Sequence, residues 1–201
     1  MMRLVAATGN KGKVREMRER LEPLGYEVVP IADLGVTLED PEDADTFLGN
    51  CRIKAAEGMR KTGLPVIADD SGLCVDALDG APGLYSARYA GEGCTFDDNI
   101  NKLLRAMKDV PWEKRTARFV CQIMIMYPDG TEITANGTCE GRIAFEKRGE
   151  GGFGYDPVFL TAHNFSLAEL GEEKKNTISH RGRACRKLAF KLRNIKRVKL
   201  K

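Results

Sequence analysis

The segment Val66-Ile67-Ala68-Asp69-Asp70-Ser71-Gly72-Leu73 constrains this chain more than any other. Its apolar run reads as a buried strand. The run meets two adjacent carboxylates, which repel each other and are costly to desolvate. A metal ion, a basic partner or water must therefore be held there. Neighbouring strand residues point to opposite faces. If the strand persists, one aspartate faces a cleft and the other is turned away. A turn opening at Ser71 with solvated carboxylates would account for the same residues.

Strand and helix patterns intermix along the rest of the chain. Arg3 to Thr8 reads as a first strand. A helix follows Gly9-Asn10-Lys11-Gly12 with its stripe at Val14, Met17, Leu21 and Leu24. Gly25 is its stop, and Tyr26 to Ile31 is a second strand. An acidic loop, Glu39 to Asp45, precedes a helix from about Thr46 to Thr62. Leu78 to Gly93 is turn-rich and irregular. Thr95 to Asp98 is a capping pattern for a helix carrying Ile100, Leu103, Leu104 and Met107. Thr116 to Tyr127 alternates, and Pro128-Asp129-Gly130 turns it back as a hairpin. A glycine-rich loop, Gly149 to Gly154, leads into a strand at Val158 to Leu160. The last helix begins after Ser179, with Ala184, Leu188, Leu192 and Ile195 as its stripe. The fold class is α/β, with a mixed central sheet flanked by helices. The 201 residues suffice for one sizeable core or two lobes sharing one. No internal repeat or long linker divides them, so 1–201 reads as a single domain.

Composition excludes several classes. With 42% hydrophobic and 30% charged residues, the chain has an ordinary globular make-up. No apolar run approaches the ~20 residues of a membrane helix. Met1-Met2-Arg3-Leu4 enters a strand-like run without the layout of a signal peptide, so a cytoplasmic location is expected. None of the six cysteines stands in C-x-x-C spacing, which argues against a zinc site. The net charge of +3 conceals an asymmetry: twelve Lys or Arg and no acid between Lys174 and Lys201. Nucleic acid, an anionic substrate or plain water could face that basic segment.

Four stretches carry chemistry. In Thr8-Gly9-Asn10-Lys11-Gly12-Lys13, a strand, a glycine loop and a helix N-terminus offer backbone N–H groups and Lys13 to a phosphate. The spacing departs from the G-x-x-x-x-G-K-[ST] loop, and a tight turn alone would also explain it. Asp69 and Asp70, with Glu42 from the acidic loop, have the oxygen donors that suit Mg²⁺. In Gly151 to Pro157, glycines beside Phe153 and Tyr155 allow close backbone approach and leave an aromatic face for a base to stack on. His180 and Arg181 place cations in the first turn of the last helix, where an anion is the better partner. Lys175 adds charge nearby. Phosphate donors, a carboxylate metal site, a stacking platform and cationic donors together suit hydrolysis of a nucleoside triphosphate.

The stretches TGNKGK, ADDSGL, APGLYSARYAG, GGFGYDPVF and ISHRGRA run from Thr8 to Ala184. In that order and spacing the chain resembles the inosine/xanthosine triphosphate pyrophosphatases, which act on noncanonical purine nucleotides. The resemblance implies hydrolysis of ITP, dITP and XTP to monophosphate and pyrophosphate with Mg²⁺, clearing them from the nucleotide pool. It implies an elongated two-lobed α/β fold with the active-site cleft between lobes, a basic C-terminal helix from about 180, and a homodimer. By motif, Thr8, Asn10 and Lys13, with Gly9, Lys11 and Gly12 of the same loop, would hold the phosphates. Asp70 would be general base and metal ligand, and Ser71 would touch substrate. Phe153, Gly154, Tyr155 and Asp156 would line the base pocket with Lys175, His180 and Arg181. Glu42 would be the second metal ligand, with Glu39, Asp40 and Asp43 as alternatives. The family often reads TFEENA where this chain has Thr46-Phe47-Leu48-Gly49-Asn50-Cys51. A house-cleaning hydrolase of other modified nucleotides is the competing enzyme. A nucleic-acid-binding protein would use the basic tail but leave the aspartate pair without a role.

Overall fold

The computed structural model describes residues 1–199. The basic segment continues to Lys201, but Leu200 and Lys201 lie outside the described residues. The chain is ordered β1 (Met2–Ala6), α1 (Lys11–Leu21), β2 (Tyr26–Pro30), α2 (Phe47–Thr62), β3 (Val66–Val75), α3 (Phe96–Ala106), β4 (Thr116–Met126), β5 (Glu132–Ile143), β6 (Phe159–Leu160), α4 (Glu172–Ile178) and α5 (His180–Lys199), with short 3₁₀ turns between. The six strands form one sheet in the order β2-β1-β3-β4-β5-β6. β1 pairs in parallel with β2 and β3, and β5 pairs antiparallel with β6, so the sheet is mixed as expected. No described helix is long and apolar enough to cross a membrane.

The chain divides into two compact units. The first holds residues up to Asp70, Cys121–Gly137 and the chain from Arg181. In it the sheet is covered on both faces, which is why its strands read as unbroken apolar runs. Leu4, Ala6 and Ile67 pack with Val14, Met17 and Leu21 of α1 and with Ala184, Cys185, Leu188 and Leu192 of α5. Val5, Ala7, Val66 and Ala68 point the other way, onto Cys51 and Ala55 of α2. Within this unit, odd positions of β3 thus face α1 and α5, and even positions face α2. The α5 stripe is buried through Leu192, whereas Ile195 is exposed.

The second unit holds Ser71–Val120 and Thr138–His180. Its core gathers Leu73 and Val75 of β3, Ile100 and Leu103 of α3, Phe119, Ile143, Tyr155, Val158 and Phe159. Arg115 is buried there. It donates to the carbonyls of Met107, Val110, Ile143 and Ala144 and lies over the Phe145 ring at 4.3 Å. Gly141 is required on β5, because a Cβ would collide with the Leu160 carbonyl and the Phe159 ring.

One open reading is settled, one is corrected and one helix was not expected. β3 does not end at the acids but continues through Ser71 and Gly72 to Val75. The strand expected from Val158 is a 3₁₀ turn over Asp156–Val158 followed by the short β6. α4, with Lys175 on it, has no clear sequence signal: at seven residues it is too short to show a periodic stripe.

Thr95 and Asp98 form a reciprocal capping box at the start of α3. Thr95→Ala should lower stability by about 1 kcal/mol. Urea unfolding would show this as a lower midpoint at unchanged slope.

Candidate active site

In the first unit, the sequence folds so that β1 delivers Thr8 to Asn10 onto the N-terminus of α1. The Asn10 amide N–H donates to Thr8 Oγ1 at 3.2 Å, and Asn10 Oδ1 accepts the Lys13 amide at 3.1 Å, capping the helix. The Asn10 side chain expected on phosphate thus has a structural task. Gly9 and Lys11 are exposed, and Gly12 is half-buried. Nothing lies within 4 Å of a Cβ built on Gly9. Lys13, on the first turn, reaches Asp69 Oδ2 at 3.0 Å.

Asp69 is fully buried on the α1/α5 face of β3. The same Oδ2 accepts Arg181 Nε at 3.1 Å, and Arg181 Nη1 donates to Glu16 Oε2 at 3.0 Å. Two cations and two anions therefore meet inside the unit. Burial alone would raise the Asp69 carboxyl, but Lys13 and Arg181 overcome it and hold it well below the usual range. The Arg181 guanidinium is held charged despite burial, because Asp69 and Glu16 outweigh desolvation. At 2% exposure, Arg181 braces Asp69 in the first unit. Glu16 was not singled out from sequence. Its signal is an acid three positions after Lys13, on the same face of α1.

Asp70 faces α2. Asn50 Nδ2 donates to its Oδ2 at 2.9 Å, and Lys54 Nζ lies 3.9 Å from its Oδ1. Lys54 also donates to Glu42 Oε2 at 2.7 Å and to the Asp69 carbonyl at 2.8 Å. Burial pushes the Asp70 carboxyl above its ordinary value, and Lys54 and Asn50 only partly oppose this. The acids of the 39–45 loop separate here. Glu39 pairs with Lys61 and Asp40 with Arg60, while Glu42 turns to the ammonium that Asp70 also faces. Two carboxylates converging on one cation head are a donor set that suits Mg²⁺, which takes one or two carboxylates and keeps several waters. Among the described residues no three His, Cys, Asp or Glu side chains form a closed metal cage.

In the second unit, Asp156 Oδ2 accepts the Phe153 amide at 2.8 Å and Lys175 Nζ at 2.7 Å. The Lys175 ammonium lies 4.4 Å from the centroid of the Phe153 ring. His180 stacks on Phe119 at 4.7 Å between centroids, an aromatic partner the sequence reading missed. Tyr155 is 5% exposed in the core, with its hydroxyl donating to the Ser86 carbonyl at 2.9 Å. Ser71 is half-buried on β3, and Gly154 takes a φ of +62°.

The fold is α/β, and its candidate site joins a strand–loop–helix turn to a carboxylate pair. Residues 4–191 match the Ham1 family, and the chain belongs to it. A dITP/XTP pyrophosphatase of Desulforamulus reducens is 52% identical over 92% of this chain and 93% of its own. One from Vibrio cholerae is 50% identical over 94% and 95%. The solved structure of a HAM1 protein from Coxiella burnetii superposes with a TM-score of 0.89 at 40% identity, covering 96% of this chain and all of that one.

Two outcomes follow from this geometry. Gly152 has a φ of +75°, and a Cβ there would strike Asp156. Gly152→Ala should cost about 1–3 kcal/mol from the backbone alone, lowering Tm by about 2–4 °C per kcal/mol in scanning calorimetry. The second concerns pH. The Asp69 carboxyl lies lower when folded than unfolded, so its stabilisation is complete above the unfolded value of ~3.9 and fades as pH falls through the folded one. The Tm advantage of wild type over Asp69→Asn should be constant at neutral pH and shrink below pH ~4.

Proposed function

We propose that this chain hydrolyses noncanonical purine nucleoside triphosphates such as dITP, ITP and XTP to the monophosphate and pyrophosphate, with Mg²⁺. The observation that carries the reading is the split of the aspartate pair. Asp69 is sealed among cations, while Asp70 is only half-buried, has a raised pKa, and shares Lys54 with Glu42. A carboxylate with a raised pKa is a stronger base than an ordinary one, which suits it to accept a proton.

In this mechanism Asp70 accepts a proton from the water that attacks the α-phosphorus. The bond from that phosphorus to the bridging oxygen of the β-phosphate breaks, and pyrophosphate leaves. Lys13, steadied by Asp69, offsets negative charge on the leaving group, assisted by amides at the start of α1. Glu42 and Asp70 would hold Mg²⁺, which supplies charge neutralisation of the polyphosphate. In the second unit, Lys175 and Asp156 set a donor beside an acceptor, next to the Phe153 ring. Hypoxanthine and xanthine present the complement, an acceptor at O6 and a donor at N1–H. Adenine reverses both, leaving buried groups unpaired.

The test is pyrophosphate release from dITP, XTP, ITP, ATP and GTP, with Mg²⁺ and with EDTA. dITP and XTP should exceed ATP in kcat/KM by up to about 10⁴-fold, and EDTA should stop turnover. Equal kcat/KM for ATP would overturn the base-recognition reading. Asp70→Asn is close in shape but cannot act as a base, and should lose at least ~10²-fold in kcat while keeping its Tm. A folded Asp70→Asn protein with near-normal turnover would remove Asp70 from the base role.

A further inference from the structure

The polar face of α2 is a second device in the first unit. Asn50, Lys54 and Glu57 are spaced i, i+4 and i+7, so they form one stripe on the helix. All three are buried, at 3%, 8% and 1% exposure. A buried polar stripe is costly unless each group is bonded; here Asn50 and Lys54 bond to the acidic loop and β3, and Glu57 to the loop and to Lys61. Glu57 accepts the amides of Glu39 and Asp40 at 2.7 and 3.1 Å, tethering the front of the loop. Asn50 Oδ1 accepts the Ala44 amide at 3.0 Å, tethering its rear. Glu42 lies between these tethers and reaches Lys54. The other end of the same Asn50 amide donates to Asp70.

One planar group thus spans the loop that carries Glu42 and the strand that carries Asp70. Gly49 sets how near the loop comes. A Cβ built there would stand 2.6 Å from the Ala44 Cβ and 3.1 Å from Thr46 Oγ1. The loop therefore seats directly on the first turn of α2, at the place where this chain departs from the TFEENA pattern.

We propose that Asn50 is a positioning residue for metal binding: its amide fixes the separation of the Glu42 and Asp70 carboxylates, and Gly49 is the gap that lets the loop seat. This rests on the reading of those two carboxylates as the Mg²⁺ ligands. Outer-shell partners of metal-binding carboxylates orient them, and losing one costs about 10–100-fold in metal affinity. Asn50→Leu, similar in volume, removes the rear tether and the bond to Asp70. Gly49→Ala moves the loop and leaves the bond from Asn50 to Asp70.

The experiment is a Mn²⁺ titration of the substrate-free protein, followed by electron paramagnetic resonance. It is paired with the Mg²⁺ midpoint for pyrophosphate release from XTP. In Asn50→Leu, Mn²⁺ affinity should fall about 10–100-fold, and kcat at saturating Mg²⁺ should fall as well, because Asp70 loses its donor. In Gly49→Ala the loss should fall on metal affinity and the Mg²⁺ midpoint much more than on kcat. A lowered Tm with unchanged Mn²⁺ affinity in either folded variant would reduce the stripe to a packing role and overturn the proposal. Should Asn50→Leu fail to fold, Gly49→Ala decides alone. A wild-type protein that turns over XTP but shows no Mn²⁺ binding and no EDTA effect overturns both this inference and the metal assignment. A wild type inactive on XTP that binds Mn²⁺ with the same Asn50 and Gly49 dependence sinks only the substrate reading.

Discussion

A fully buried carboxylate on a central strand is the constraint around which the first unit is built. Asp69 has no access to water, so its charge has to be met from within. It is met by two cations from different helices, Lys13 near the start of α1 and Arg181 near the start of α5. Arg181 would itself overcharge the cluster without Glu16. The quartet balances, and every member is needed: removing one partner strands another charge in a dry interior, which costs more than the intact pair contributes. Position follows from this. The start of α1 cannot drift from β3 without breaking the Lys13 ion pair, so the loop from Thr8 to Asn10 is held where β1 ends.

The same strand supplies the contrast that chemistry requires. Asp69 and Asp70 are covalent neighbours with carboxyls pushed in opposite directions, one down by two cations and the other up by burial with weaker compensation. Adjacent acids ordinarily titrate against each other. Here the sheet stands between them, and each meets its own counter-ions. Lys54 is shared, gripping the Asp69 carbonyl while its ammonium faces Asp70 and Glu42. The division of labour is therefore set by pleat geometry, with no difference in residue type.

Much of this was legible in the sequence, for identifiable reasons. The strand–loop–helix unit at Thr8 to Lys13, the α2 and α5 boundaries and the hairpin turn at Pro128 to Gly130 depend on caps, glycines and short-range periodicity. Opposite facing of the two aspartates followed from the period of a strand, once β3 proved to continue. What escaped depends on contacts far apart in sequence. The buried partners of Arg181, Asp69 and Glu16, stand more than a hundred positions away from it. The ring of Tyr155, within the glycine-rich motif, joins the core through residues distant in sequence. Glu42 could not be separated from its neighbours in the acidic loop, because what separates them is which α2 side chain each one meets.

The alternation along β3 also determines which length changes the chain tolerates. Deleting or inserting one residue between Val66 and Ala68 would exchange the faces of every residue beyond the change. Asp69 would then lie against Asn50 and Lys54, and Asp70 against Lys13 and Arg181. Composition would barely alter, and both acids would still find cations. The carboxylate with the raised pKa, however, would no longer be the one that precedes Ser71. Variation in length among relatives of this chain should therefore gather in loops, such as Glu39 to Asp45 and Pro128 to Gly130, and spare the strand between them.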